Sequence, residues 1–420
     1  MLRSLWLSGW LLCSLSLRAQ SSTDSLVFSP ERLQRVDTFL NNLVAQGIVP
    51  HAQSLIIHRG EVVHDQVYGT YGTEPQRPLT KNAIWRIASQ SKLITTIAVM
   101  MLYEEGKFLL DDPIAQYIPA FANPQVLVSS DSATLAYETR PAARDVTIRD
   151  LLTHTAGIPY EHPLQDHLEF KVPFFASLED DLLEDVVDRI AARPLLHDPG
   201  EAFTYGLSTD VLGRLVEIVS EQSLAQFFRQ RIFVPLGMDD TYFYLPEEKE
   251  NWLVTLFRKD EADSALRVHR DRLYQDFARR GERTFYSGGA GLVSTAADYA
   301  KVCQLILNEG TYEGTRLLSP LTVQMMTRNQ IGEAEVWDRQ DKFGLGLQIA
   351  TPRSRYVDLA PPGALTWGGL YCSEYTIDPA NDLVMQVYTN VYPFAHYGEF
   401  VRKYRVLVYQ ALVDQPESNP

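Results

Sequence analysis

The chain is poor in cysteine, with three in 420 residues, at positions 13, 303 and 372. That is too few for a disulfide framework, so a packed core must hold the fold. Cys303 and Cys372 read as core residues, with a bridge between them left open in an oxidising compartment. Basic charge is short as well: 38 Lys and Arg stand against 53 Asp and Glu, a formal net charge of −15. So acidic a balance argues against a nucleic-acid groove or an anionic membrane as partner. It does not fix the sign of a small substrate, because the field in a pocket need not follow net charge. Beyond the first residues no apolar run is long enough to cross a bilayer, and no repeat or low-complexity tract occurs. There is no G-x-S-x-G, which removes the elbow of α/β-hydrolases. His154, His162 and His167 fall near Glu161 and Asp166, but no H-E-x-x-H spacing is present. No metal and no other cofactor is expected.

What is present starts with MLRSLWLSGWLLCSLSLRAQSS, where Arg3 precedes an apolar run from Leu5 to Leu17 and small residues Ala19 and Ser21 follow. The run suits a secretory signal over residues 1–21 better than a spanning helix, which needs about 20 apolar residues. An uncleaved anchor is the alternative. The expectation is export, to the periplasm or the medium, with no stable membrane insertion after cleavage.

Over 22–420 the pattern is mixed. A helix is expected around Pro30–Gln46, and SLIIHRGEVVHDQVYG alternates around Arg59-Gly60 as a β-hairpin. The helix after Ser89 carries Leu93, Ile97, Met100 and Met101 and stops at Gly106, a suitable C′ residue. Residues 123–145 lose periodicity and read as a long loop. From Val146 to about Gln230 the pattern is mostly helical, broken at Pro159, Pro194 and Pro199-Gly200. Strands return in KFGLGLQIA, ALTWGGLYCSEYTID and DLVMQVYTN, the last two joined by turn formers Asp378 to Asp382. A helix around Glu399–Leu412 closes the chain. Strands at both ends around a helical middle imply an α+β fold: an α/β lobe over about 25–110 and 290–415, and a helical lobe over about 111–289. The cleft between them is the natural pocket.

Within RIASQSKLIT, Ser89 and Lys92 are three apart and share one face of a helix. Ser89 would sit at the helix N-terminus, where free N–H groups and the dipole favour negative charge. A serine hydroxyl is a weak nucleophile until a base takes its proton, and a desolvated lysine can be that base. S-x-x-K spacing alone leaves a plain N-cap open. Ser91 reads as a supporting hydrogen-bonding residue. His197 beside Asp198 reads as a loop residue, and Thr295 to Asp298 as a capping box.

Further stretches carry a resemblance: LDDPIAQYIPAF, VTIRDLLTHTAGIP, DPGEAFTYGLSTDVLGRLVEIVS, PLGMDDTYF, GGAGLVSTAADYAKVCQLILNEG and LTWGGLYCSEYTIDP. Together with WRIASQSKLIT they resemble, in order over about residues 30–410, the serine β-lactamase and penicillin-binding-protein superfamily. The likeness is greatest to class C β-lactamases and family VIII carboxylesterases. It implies the β-lactamase/transpeptidase-like fold: an antiparallel sheet flanked by helices, a mainly helical lobe, and the site in the cleft. It implies Ser89 as nucleophile, Lys92 as its partner and Tyr205 as the tyrosine of a Y-x-N element. It places Trp367, Gly368 and Gly369 where relatives carry K-T-G. The N–H groups of Ser89 and Leu370 then form the oxyanion hole. Leu207 stands where relatives have an asparagine that contacts the acyl amide. Trp367, Gly368 and Leu207 thus replace groups that hold a carboxylate or amide, a loss of about 1.5–3 kcal/mol for a charge-assisted bond. The expected activity is hydrolysis of small esters through an acyl-enzyme. The alternatives are a β-lactamase or D-amino-acid peptidase, and a non-catalytic sensor. The partner is a small ester or amide, and the oligomeric state is not legible.

Overall fold

The computed structural model describes residues 26–73, 76–131, 134–166, 171–259, 265–337, 339–354 and 358–414. The expected signal at 1–21 and His167 lie outside the described residues. Seven antiparallel strands form the central sheet, in the spatial order Lys342–Phe343, Gln348–Ile349, Leu365–Gly369, Ser373–Asp378, Leu383–Tyr388, His51–His58 and Glu61–Gly69. The sheet joins the two ends of the chain, because Leu383–Tyr388 pairs with His51–His58 from Leu383↔His58 to Tyr388↔Gln53. All eight residues of His51–His58 are buried, as a strand covered on both faces requires.

Helices Pro30–Ala45 and Tyr397–Tyr409 cover one face, meeting through Leu33, Val36, Leu40, Phe400 and Tyr404. The first begins where Ser29 accepts from Arg32 N and Pro30 needs no donor, and its buried residues recur at helical spacing. Ala296–Leu307 packs on the other face, within the main core. The helices Ile148–Leu152, Leu183–Ala192, Ser208–Ser220 and Leu224–Phe228 come from the middle of the chain. The architecture is α+β.

Helix Ser91–Glu104 packs against Ser208–Ser220 and is buried at every position from Ser91 to Leu102. A helix closed on all sides must pair each polar group it carries. Ser91 Oγ accepts from Leu292 N at 3.2 Å and Thr95 Oγ1 donates to Gly288 O at 2.7 Å. The helix stops at Glu105, and Gly106 follows in the left-handed region at φ 70°.

Three expectations need correction. Residues 123–145 are not a loop throughout: Gln125–Ser130 and Tyr137–Pro141 form an antiparallel hairpin with a bulge between Leu127 and Ser129. Tyr137–Pro141 is exposed at every position, so it carries no apolar alternation to read. The helical stretch from Val146 is interrupted between Thr153 and Leu182, where the described residues run in turns. At Thr295 half a capping box forms. Its Oγ1 accepts from Asp298 N, but the Asp298 carboxylate is taken by Asp240 N, Thr241 and Lys301. The complete box lies at Thr147 and Asp150.

Cys303 and Cys372 are both free and buried, and burial pushes both thiols up. Among the described residues no helix is long and apolar enough to cross a membrane.

Candidate active site

Strand Ile84–Arg86, paired with Val293–Thr295, turns abruptly into helix Ser91–Glu104 through one 3-10 turn, Ala88–Gln90. Ala88 makes the bend at φ 43°, a region costly for any residue with a Cβ. Ser89 is at the crest of this bend, half-buried, and lines the cleft. It does not cap the helix as expected. Gln90 is the N-cap residue and makes no side-chain cap bond, its amide being engaged with Ser373 Oγ and Tyr388 OH instead.

Lys92, one turn on, is 3 % exposed. Its Nζ lies 3.3 Å from Ser89 Oγ, 2.7 Å from Tyr160 OH and 2.8 Å from Gly289 O. Three neighbours match the three hydrogens of an ammonium. They match the neutral amine equally, with two N–H donated to Tyr160 and Gly289 and the lone pair facing the Ser89 hydroxyl.

Tyr205 is brought to the same place by a different contact. Its ring lies 4.8 Å from Lys92 Nζ, a cation–π arrangement, and its hydroxyl accepts from Trp367 Nε1 at 3.4 Å. The tyrosine hydroxyl on Lys92 is that of Tyr160, which the sequence analysis missed. Burial raises the Tyr160 phenol well above its ordinary range, with Tyr205 and Asp210 adding to the effect, so it stays protonated. Its ring packs on Tyr205 at 5.4 Å and on Phe174 at 4.7 Å. The one available signal was its place after THTAGIP, and an isolated tyrosine there carries no spacing rule.

Ser89, Tyr160, Tyr205, Trp367, Gly368, Gly369 and Leu370 all line one cleft of about 1000 Å³. Leu207 does not join them: it is 2 % exposed and packs in the main core, at the start of helix Ser208–Ser220. The two glycines answer to internal packing. A Cβ on Gly368 would come 1.9 Å from Tyr397 OH, and one on Gly369 2.4 Å from Ile87 O. Trp367 stacks on Trp337 at 5.4 Å and 19°, and Trp337 in turn stands edge-on to Tyr205 at 5.6 Å. At the other end the cleft meets Phe174, Phe175 and Tyr392. Of the arginines that line the cleft, the half-buried Arg405 is spent on Asp358 and Glu374.

The histidines have structural duties. His154 is buried against the Tyr205 ring at 4.9 Å, and desolvation, helped by Lys92, holds it well below its ordinary pKa. His162 is held by Pro194 O and Leu164 N, and His197 by Asp198 O and Thr204 Oγ1. Among the described residues no cluster of three His, Cys, Asp or Glu could hold a metal ion.

Known proteins share this arrangement of elements. The family model Beta-lactamase matches residues 36–410. Protein Rv1367c of Mycobacterium tuberculosis is 31% identical over 358 residues, covering 81% of this chain and 85% of its own. Esterase EstB of Burkholderia gladioli is 26% identical over 395 residues, covering 88% and 94%. The solved structure of EstCE1, described as a hydrolase with promiscuous acyltransferase activity, superposes with a TM-score of 0.75 at 26% identity, covering 90% of this chain and 99% of that one.

Proposed function

The chain belongs to the Beta-lactamase family and is a serine hydrolase, and we propose that it is an exported carboxylesterase acting on small neutral esters. Ser89 Oγ attacks the ester carbonyl while its proton moves to Lys92 Nζ, 3.3 Å away. The negative charge on the carbonyl oxygen is received by the N–H groups of Ser89 and Leu370. Tyr205 protonates the leaving alkoxide and recovers its proton from Lys92 by way of Tyr160, whose hydroxyl lies 2.7 Å from Nζ and whose ring packs on Tyr205. Water then attacks the acyl-enzyme by the reverse route, releasing the acid and restoring Ser89. Export rests on the N-terminal pattern at residues 1–21.

The observation that carries the esterase over a β-lactamase or peptidase is the Trp367–Gly368 surface. An indole whose N–H is directed to Tyr205 and a glycine covered by the Tyr397 hydroxyl occupy the strand. Neither offers a cation to a substrate carboxylate, and of the arginines that line the cleft Arg405 is already paired twice, Arg339 lies over the Trp337 ring at 5.1 Å and Arg402 donates to Gly398 O.

The test is a panel on the purified protein and Ser89→Ala: a fluorophosphonate probe, p-nitrophenyl acyl esters, a chromogenic cephalosporin and a D-Ala-D-Ala peptide. Ester turnover and labelling that vanish in the variant are expected. Faster turnover of the cephalosporin or peptide would reverse the order of substrates. No labelling and no turnover would favour the non-catalytic sensor.

A further inference from the structure

We propose that Asp210 is the positioning residue for Lys92: a buried carboxylate that fixes the Gly289 carbonyl under Nζ and supplies the negative charge facing it. The inference rests on the esterase reading of Ser89 and Lys92.

Asp210 lies in helix Ser208–Ser220 and is 1 % exposed. Its Oδ1 accepts from Ser287 Oγ at 2.6 Å and from Gly289 N at 3.2 Å. Ser287 Oγ in turn accepts from Ala290 N at 3.1 Å. The carboxylate thus gathers the turn at residues 287–290, and the carbonyl of that same turn, Gly289 O, receives Lys92 Nζ. Two opposite charges meet at one residue, one on its N–H and one on its C=O. The turn has no room to move: a Cβ on Gly288 would come 2.8 Å from Thr209 O, and one on Gly289 2.7 Å from Asp210 Oδ2. Oδ2 has no partner of its own. A fully buried carboxylate with an unpaired oxygen is expensive, and the fold keeps it where the charge of Lys92 acts on it.

The groups that bear on Lys92 are Tyr160 and Tyr205, which touch it, His154, held neutral by burial, and Asp210. Asp210 is the carboxylate among them. Burial pushes its carboxyl up, while the Ser287 hydroxyl, Lys92 and the Gly289 amide pull against that. The donors on Oδ1 mark the ionised form as the one the site is built around.

The test is the pH dependence of kcat/KM for p-nitrophenyl acetate in the wild type, Asp210→Asn and Ser287→Ala, with thermal unfolding measured alongside. Asparagine keeps shape and acceptor but removes charge. Without that charge the ammonium is less favoured, so the acid limb is expected to move to lower pH by at least about 0.5 unit. Ser287→Ala leaves the carboxylate but removes one donor that favours its ionised form, so it is expected to move the limb the same way and by less. If Asp210→Asn does not fold, Asp210→Ser carries the same expectation. A merely structural Asp210 would lower the unfolding temperature and leave the limb where it was, which overturns the inference. Limbs that coincide while the wild type turns over ester overturn this inference alone. No turnover by the wild type overturns the esterase reading, and the inference falls with it.

Discussion

Ser54 and Ser89 each sit in a hydrogen-bonded chain that holds a charged or titratable group, and they differ in one respect. Ser54 Oγ lies 3.1 Å from His64 Nδ1, and His64 Nε2 lies 3.0 Å from Asp37 Oδ1. Read as connectivity this is a Ser-His-Asp chain, better known as a catalytic arrangement than Ser-Lys-Tyr. Yet Ser54 is fully buried in strand His51–His58, and its hydroxyl is also bonded to Tyr404 OH at 2.8 Å. Asp37 is shared with Tyr68, so the bonds at the two ends of the chain tie helices Pro30–Ala45 and Tyr397–Tyr409 to the sheet, and the Ser54–His64 link joins two of its strands. Ser89 is raised on a bend at the wall of a cleft, with Lys92 behind it and open space in front. Hydrogen-bond geometry therefore does not identify a nucleophile. Access for a carbonyl carbon does.

The sharpest way to break this comparison is to remove each hydroxyl in turn. Ser89→Ala should lose roughly three or more decades of ester turnover, with a urea midpoint close to that of the wild type. Ser54→Ala should keep turnover within about twofold. If Ser54→Ala lost activity while its urea midpoint held, the buried chain would have a catalytic part and the contrast would fail.

Acid separates the regions next, because several imidazoles are buried with the sheet and core. His51 is fully buried, and desolvation lowers its pKa to about 4, with Thr70 O at 2.8 Å on Nδ1 opposing the shift. The unfolded chain protonates this residue near the ordinary 6.5, so between the two values the unfolded state binds more protons. Stability is therefore complete above about pH 6.5 and falls as pH drops toward 4, by on the order of 3 kcal/mol for this group. Urea midpoints from pH 7.5 to 4.5 would show it, and His51→Gln should flatten the slope. A slope unchanged in the variant would show that other groups govern acid sensitivity.

How much of this was legible depends on what kind of signal each residue leaves. Helix Pro30–Ala45 left a periodic one, because one pattern of burial repeats along it, and the hairpin left its turn at Arg59-Gly60. Ser89 and Lys92 left a spacing, and Tyr205 and Trp367 became visible through resemblance. Tyr160, Asp210 and the Ser54–His64–Asp37 chain left none. Their partners lie on other elements, such as Gly289 on Lys92 or Tyr404 on Ser54, and a single sequence does not record which elements meet. Leu207 misled for the same reason. Its position beside Tyr205 suggested the cleft, but the turn into helix Ser208–Ser220 buries it in the core.

The buried chain should register in stability. Asp37→Asn removes the charge from a site that receives both His64 and Tyr68. The expected cost is about 1–3 kcal/mol, read as a lower urea midpoint with ester turnover preserved. Ser54→Ala should fall in the same range, since it leaves the buried His64 Nδ1 short of a partner, while Tyr404 OH keeps Gln386 O. A midpoint unchanged in both would mean that the chain does not hold the two helices to the sheet.

The smallest expected effect concerns the backbone under each serine. Ser54 lies in an ordinary strand, whereas Ser89 follows Ala88 at φ 43°. That conformation costs a residue with a Cβ about 1–2 kcal/mol, and glycine relieves it. Glycine also loosens the unfolded chain by about 0.4–1 kcal/mol and removes a buried methyl from the cluster with Ile84, Phe175 and Ala290. These terms oppose one another, so Ala88→Gly should leave stability within about 0.5 kcal/mol of the wild type. Turnover should drop by only a few-fold, because the amides of Ser89 and Leu370 would no longer be held as rigidly toward one point. The bend is then a device for presentation, stabilised by the core around it. A large gain in stability with full activity would show instead that the strain at Ala88 is incidental, and that Ser89 is presented by Lys92 and the helix alone.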